Sequence, residues 1–346
     1  MTIQFNTSEG SIRKISERKK YWFVRTYSGA TFDDFQENNY IGIGLNFVPQ
    51  NLIQNVQGDN LSIPYDTLKT FIANNSDYEK GEVTKWANQL VAFQHDMQIG
   101  DCVIIPSKNS DFLAIGEIES EVYITDDTRR FEFNDNYEPY PEKRRRVNWI
   151  LLKKKEDFRG DLDNIFHSRQ AIYNIDRLAQ TIEGYISPLF MIGDTSYMVI
   201  QIRQDENINA FAFSKFLDSL TYFYTEICEE HGIEYNEELY IKIKVQSKGK
   251  VALAAVALLG LLGISTIFAL SDDPRIKLDL GRYGTLEAEG DGLLQSWTNF
   301  LNAKQERQQK MIEFQASMDS IKAATHNDLD DELLDDAQEE REGENR

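Results

Sequence analysis

The feature that most constrains the fold is an uncharged apolar run from Val251 to Leu270, VALAAVALLGLLGISTIFAL. A helix rises 1.5 Å per residue, so a helix of this length would cover about 30 Å, the thickness of a bilayer's hydrocarbon core. A helix that is apolar on every side can also lie at the centre of a large domain. The run therefore predicts either a membrane-spanning helix or a helix covered by protein.

The flanks of the run favour a membrane span. Lys248 and Lys250 precede it, and Asp272 and Asp273 follow it. By the positive-inside rule, residues 1–250 then face the cytoplasm and the helix spans the membrane. The strand-like segments on either side suggest the alternative, a cytoplasmic protein in which both strands share a sheet. We expect lipid or a homo-oligomeric bundle to cover the helix, because the surrounding segments are short.

The pattern of strands and helices along the chain predicts an α+β protein. A net charge of −20 argues against a protein that coats nucleic acid indiscriminately, but it leaves room for a local basic site. Between Asp161 and Ile182 the apolar spacing predicts a helix. The expected segments are a strand-rich recognition domain (1–158), an α+β domain (159–250), the hydrophobic helix (251–270), a β-hairpin with a long helix (271–325) and an acidic disordered tail (326–346).

Catalytic and metal-binding patterns are missing from the sequence. The four histidines and the two cysteines, Cys102 and Cys228, show no metal-ligand spacing. Walker A, GxSxG and HExxH motifs do not occur. We therefore expect neither a metal nor another cofactor, and a protein that is not an enzyme. An enzyme whose active site the sequence does not display stays open as a third hypothesis.

A basic cluster is the sharpest candidate for a binding surface. Seven Lys or Arg residues occur among the 13 residues from Lys143 to Lys155, and Trp149 lies between them. Cations beside an aromatic side chain suit a phosphate backbone with a base stacked nearby. The alternative is a solvated strand end, or a clamp on the protein's own acidic surface. The predicted phosphate-binding residues are Lys143, Arg144, Arg145, Arg146, Lys153 and Lys154.

Five elements between about residues 20 and 152 carry a resemblance to a known family. In chain order they are YWFVRTY, YIGIGLNF, QIGDCVIIP, AIGEIE and RRRVNW. Their order and spacing resemble the PUA-like (EVE-like) N-terminal modules of modification-dependent restriction and other phage-defence proteins. Where that family has Trp after its Ile-Gly pair, this chain has Leu45.

The resemblance implies a small, twisted, mixed β-barrel with a pocket for a nucleobase, modified or unmodified. A base flipped into such a pocket is stacked on aromatic side chains and hydrogen-bonded at its edge. On the positions that match, the resemblance places Trp22, Arg25, Gln89 and Trp149 near the pocket. The alternative for each aromatic residue is packing in the core. The matching residues expected to form turns are Gly44, Gly100, Asp101 and Gly116.

Two functions follow as expectations. The first is a bacterial anti-phage sensor–effector that recognises a nucleobase or nucleotide and acts through a membrane-associated or oligomerising C-terminal region. The second is a soluble subunit that binds modified DNA and recruits a separate nuclease, with the apolar helix buried. The expected partners are nucleic acid or a nucleotide, the bacterial inner membrane, further copies of the chain and an effector protein.

Overall fold

The protein, described here from a computed structural model, divides into two compact units. The N-terminal unit is Arg18–Thr181, and the C-terminal unit combines Met1–Glu17 with Ile182–Arg346. The structure describes residues 13–56, 63–158, 162–168, 170–187, 189–202, 209–230, 232, 239–244, 250–255, 276–279, 285–288, 301–321 and 323–324.

A seven-stranded mixed sheet forms the frame of the N-terminal unit and curls into a half-barrel. Numbered in chain order through both units, its strands are β2 (Tyr21–Val24), β3 (Tyr40–Ile43), β4 (Cys102–Pro106), β5 (Phe112–Ile118), β6 (Tyr123–Ile124), β9 (Lys143–Lys154) and β10 (Ile172–Asn174). Their order is β10-β2-β4-β5-β9-β3, with β6 also beside β9. A separate hairpin joins β7 (Arg130–Phe133) to β8 (Asn136–Pro139). This arrangement confirms the α+β class, while the PUA-like barrel stays a prediction.

Helices cover one face of this sheet and enclose its core. The helices are α1 (Phe32–Glu37), α2 (Gln50–Gln54), α3 (Tyr65–Asn74) and α4 (Lys80–Val91), and a π-helical turn (Ala92–Asp96) continues α4. Val83, Ala87 and Leu90 repeat at helical spacing on α4 and are buried against Trp22 and Val103 of the sheet. Short 3-10 turns lie at Lys108–Ser110, Lys155–Phe158, Asp163–His167 and Asp176–Leu178.

The predicted helix from Asp161 to Ile182 is wrong. The chain instead forms strand β10 and then helix α5 (Ala179–Ile186). Strand β10 pairs antiparallel with β2, with Ile172 opposite Val24. Hydrogen bonding to the edge of β2 therefore determines the structure of this segment, although its apolar residues are also spaced as in a helix. The N-terminal unit consequently extends beyond the expected boundary at residue 158.

The C-terminal unit contains a second sheet with two long helices. Its strands are β1 (Arg13–Ile15), β11 (Leu189–Ile192), β12 (Thr195–Ile202), β13 (Leu239–Lys244), β14 (Lys250–Ala255) and β17 (Ala323–Ala324), in the order β1-β11-β12-β14-β13 with β17 beside β12. The predicted hairpin is present as β15 (Ile276–Asp279) and β16 (Thr285–Ala288).

The two long helices are α6 (Ala210–Glu230) and α7 (Gln305–Ile321), and α7 falls within the segment expected to hold a long helix (271–325). Phe216 of α6 stacks on Phe314 of α7 with the ring centroids 5.5 Å apart. Met198 of β12 lies in the same buried cluster. The helices and the sheet therefore share one apolar core.

The prediction of a helix over the whole apolar run is wrong. Val251–Ala255 belong to β14, where Val251 lies between Ile200 of β12 and Ile243 of β13. A strand paired on both edges can be continuously apolar, so a uniform run does not distinguish it from a buried helix. Residues 256–270 and the acidic tail 326–346 lie outside the described residues. Among the helices in the described parts of the chain, none combines the length and the apolar character needed to cross a bilayer.

Candidate functional site

A pocket of about 680 Å³ lies in the N-terminal unit between helix α4 and strand β10. Aromatic, amide, hydroxyl and charged side chains all contribute to its wall. The lining residues are Trp22, Tyr65, Gly81, Thr84, Lys85, Asn88, Gln89, Val91, Ala92, Asp96, Gln170, Ile172, Tyr173 and Asn174.

One polar face of α4 forms the helical wall of the pocket. Gly81, Lys85, Asn88, Ala92 and Asp96 line it at intervals of three or four residues. Side chains at this spacing lie above one another on a helix, and the π-helical turn extends the same wall to Asp96. Because the opposite face of α4 is anchored in the core, the polar face is held at a fixed distance from the sheet.

Trp22 contributes an indole whose position is fixed by hydrogen bonds. Its Nε1–H donates to Oδ2 of Asp101 at 2.9 Å. The same buried carboxylate accepts from the main-chain N–H of Lys20 and of Gln98, both at 2.9 Å. Asp101 follows Gly100, which has a φ of 91°, as expected for a turn. The Asp101 carboxylate thus connects the Trp22 indole in the pocket wall to the main chain at Lys20 and at Gln98.

Gln89 joins the helical wall to the strand wall. Its Oε1 accepts hydrogen bonds from the main-chain N–H of Ala171 and of Ile172, the latter at 3.0 Å. Its Nε2 donates to the carbonyl of Lys85 at 3.1 Å. Both ends of the buried amide are therefore engaged, which makes Gln89 a positioning residue for the pocket.

The structure brings Trp22 and Gln89 together in the pocket, while Arg25 and Trp149 are not among its lining residues. The Arg25 guanidinium donates to the carbonyl of Phe166 at 3.1 Å and to that of Ser168. The Trp149 indole packs against the core and donates to the carbonyl of Phe35 at 3.2 Å. Base binding by these two residues stays a prediction that this geometry does not favour.

Trp149 also explains Gly116, which lies inside strand β5 and not in a turn. A Cβ atom on Gly116 would lie 2.7 Å from the Trp149 ring and 2.7 Å from the Asn148 carbonyl oxygen. The glycine therefore permits close packing of the indole over the strand.

Several lining residues were not anticipated from the sequence. Thr84, Lys85 and Asn88 form a polar stripe on α4 that the sequence displays. Tyr65 of α3 donates its hydroxyl to Oδ1 of Asn88, so it borders the pocket at a fixed position. Asn174 was hidden by the mistaken helix prediction for its segment.

Three side chains of the basic cluster are buried, with their charged groups inside the protein. The Arg145 side chain is fully buried, and its guanidinium donates to the carbonyls of Phe93 at 2.9 Å, Ser120 at 2.9 Å and Gln94 at 3.0 Å. Such bonds compensate the guanidinium for the loss of water. A phosphate cannot reach this head group without opening the core.

Arg144 and Lys143 are also buried. The Arg144 guanidinium donates to the Pro141 carbonyl at 2.7 Å and to Oδ2 of Asp127 at 2.5 Å. Side-chain hydrogen bonds from Arg129 and Arg144 hold the pKa of the Asp127 carboxyl far below its usual range. Burial therefore gives Lys143, Arg144 and Arg145 a structural role and does not favour phosphate binding by them. For the exposed Arg146 and the half-buried Lys153 and Lys154, it stays a prediction.

Lys143 predicts a measurable pH dependence. Its ammonium donates to the Leu45 carbonyl at 3.0 Å, and burial lowers its pKa to about 8 from 10.5. Between these values the unfolded chain binds more protons, so stability rises with pH. We expect Lys143→Met to raise the free energy of unfolding at pH 7 relative to wild type. This advantage should shrink by about 2–3 kcal/mol by pH 10.5 in urea titrations. A difference independent of pH would contradict the assignment.

No group of three or more His, Cys, Asp or Glu side chains suited to a metal ion occurs among the described residues. A comparison with curated proteins gave no match. Residues 21–176 match the model of a family described as a domain of unknown function (DUF8426), a range that begins with strand β2 and includes strand β10.

Proposed function

We propose that the N-terminal unit recognises a nucleobase, free as a nucleotide or within a nucleic acid strand, in the pocket between α4 and β10. The observation that carries this function is the convergence of an indole fixed by Asp101 with amide groups on both walls. The resemblance to PUA-like modules of phage-defence proteins supports the same function independently, because it names Trp22 and Gln89 from the sequence alone.

The size and chemistry of the pocket suit this ligand class. Small-molecule sites measure roughly 300–1,000 Å³ and combine apolar walls with a few placed polar groups. Here the half-buried Tyr65 offers aromatic surface beside the largely buried Trp22, and Asn88, Gln170 and Asn174 offer amide donors and acceptors. A nucleobase needs both, since its faces stack and its edge forms hydrogen bonds.

Membrane association does not enter the proposed function. Val251–Ala255 form an internal strand of the C-terminal sheet and not the beginning of a spanning helix. Recognition in the N-terminal unit needs no contribution from that segment.

Gly81 provides the test of this function. Its φ is outside the left-handed region, and a Cβ placed on it meets no atom within 4 Å. Gly81→Trp should extend an indole into open space at the wall of the pocket and weaken binding tenfold or more. The matched control Gly81→Ala should retain binding and raise the free energy of unfolding by about 0.4–1 kcal/mol.

Isothermal titration of the full chain with the four nucleoside monophosphates and with short single strands measures both variants. We expect saturable binding by the parent and by Gly81→Ala. The proposed function fails if the parent binds none of these ligands, or if Gly81→Trp binds as tightly as Gly81→Ala.

A further inference from the structure

Strand β10 is the outer strand of the N-terminal sheet, and its free edge borders the pocket. The Arg25 N–H donates to the Ala171 carbonyl at 2.8 Å, and the Ile175 N–H again donates to β2 at 2.7 Å. Antiparallel strands alternate between residues that bond the partner strand and residues whose main-chain groups face away. The main-chain groups of Ile172 and Asn174 therefore face away from β2.

Side chains close this free edge at both ends. Oε1 of Gln89 accepts from the N–H groups of Ala171 and Ile172. Two residues further on, Oδ1 of Asn174 accepts from the N–H of Asp176 at 3.0 Å. Within the part of the chain that the structure describes, three main-chain groups remain between these closures. They are the Ile172 carbonyl, the Asn174 N–H and the Asn174 carbonyl, an acceptor–donor–acceptor row that we call the edge window.

We propose that the edge window reads the Watson–Crick edge of adenine, an inference that rests on the proposed function and specifies its ligand. Adenine presents, in order, the N6 amino donor, the N1 acceptor and the C2–H group. The amino group would donate to the Ile172 carbonyl, and N1 would accept from the Asn174 N–H. The C2–H group is a weak donor that a carbonyl oxygen tolerates at close range. Each of the three groups of the edge window therefore faces a complementary group of adenine, and no acceptor atom of the base faces an acceptor atom of the protein.

The other bases match the edge window less well. Cytosine carries O2 beside N3, so in either orientation a carbonyl oxygen meets a main-chain carbonyl. Uracil and thymine carry a carbonyl on both sides of N3–H, which brings one oxygen against Oε1 of Gln89. Guanine places O6 on the Asn174 N–H and N1–H on one of the two carbonyls, which leaves the other carbonyl without a donor. Its N2 amino group then meets Oε1 of Gln89 or Oδ1 of Asn174, oxygens that already accept hydrogen bonds from main-chain N–H groups.

A peptide strand is a poorer occupant of this edge. Strand addition relies on a row of unpaired main-chain groups along a sheet edge. The two closures leave only the three groups of the edge window, which is shorter than such a row. A compact planar ligand with adjacent donor and acceptor atoms uses them all.

Substitutions at Asn174 isolate the main-chain contact. Asn174→Pro removes the N–H of the edge window, and proline is tolerated on an edge strand where the lost N–H faces away from the partner. Asn174→Ala removes the same side chain but keeps the N–H, so it is the matched control. We expect Asn174→Pro to weaken AMP binding tenfold or more relative to Asn174→Ala.

The full chain is titrated with AMP, GMP, CMP and UMP, and with a hexamer that carries one adenine among abasic sites. We expect the affinity for AMP to be at least about tenfold higher than the affinities for the other three nucleotides. Tighter binding of the hexamer than of AMP would identify a nucleic acid strand as the source of the base, and the reverse a free nucleotide. On the unchanged protein, the N6,N6-dimethyl derivative of AMP, which lacks the amino hydrogens, should bind at least tenfold more weakly than AMP.

The outcomes separate the two levels of the hypothesis. Binding of no nucleotide and no hexamer overturns the proposed function and the inference together. Nucleotide binding with no preference for adenine, or with equal affinity for the dimethyl derivative, overturns the inference and leaves the proposed function standing. The dimethyl measurement decides the case if Asn174→Pro does not fold.

Discussion

Replacing Arg145 by methionine is expected to lower the free energy of unfolding by about 3–5 kcal/mol, although the substitution removes a residue from a cluster of like charges. The guanidinium is fully buried and donates to three main-chain carbonyls. Without it, the carbonyls of Phe93, Gln94 and Ser120 lose a hydrogen-bond donor in the interior. Urea denaturation of the full chain measures the loss as a shift of the N-terminal unit's transition.

The neighbouring Arg146 provides the matched control. It lies one residue further along strand β9, and its side chain is exposed. Arg146→Met should change the free energy of unfolding by no more than about 0.5 kcal/mol. If the Arg145 and Arg146 variants were equally stable, the interior position of Arg145 would be wrong. Phosphate binding by Arg145 would then be supported.

Asp101→Asn is expected to lower the free energy of unfolding by about 2–4 kcal/mol and to weaken nucleotide binding about tenfold. The Asp101 carboxylate accepts from three N–H groups, namely the Trp22 indole and the main chain at Lys20 and Gln98. An amide of the same shape places an NH₂ group against at least one of these donors. The indole would then lose its fixed position in the pocket wall.

Asp96 supplies the control for this substitution, because it is an exposed carboxylate that also lines the pocket. Asp96→Asn should change the free energy of unfolding by no more than about 0.5 kcal/mol. Urea denaturation and isothermal titration report stability and binding separately. Unchanged stability of Asp101→Asn would show that the carboxylate does not hold Trp22 in place.

The frame of the N-terminal unit could be predicted because its signals are local. Strands β2, β4 and β5 have strong apolar patterns, and the apolar spacing on α4 predicts its buried face. The resemblance to PUA-like modules added two of the residues that line the pocket, Trp22 and Gln89. Helix spacing and turn residues are properties of short segments, so a single sequence displays them.

The burial of side chains in the basic cluster could not be predicted from such local signals. Charged side chains are rarely buried, so exposure is the default expectation for Arg145. Its burial depends on carbonyls that lie 52, 51 and 25 positions away in the chain. Only the folded chain brings Phe93, Gln94 and Ser120 around one guanidinium.

Two further errors have a common physical cause, namely pairing between distant strands. Strand β10 and the beginning of the apolar run both carry apolar spacing compatible with a helix. Each is instead recruited to a sheet, by β2 in one case and by β12 and β13 in the other. A strand's partner lies elsewhere in the chain, so its pairing leaves little trace in the segment itself.

The most direct test of the central claim is a crystal structure of the full chain grown with saturating AMP. We expect the adenine ring between α4 and β10, with N1 within hydrogen-bond distance of the Asn174 main-chain nitrogen and the amino group near the Ile172 carbonyl. An empty pocket beside nucleotide bound elsewhere on the protein would contradict the assignment of this pocket as the recognition site.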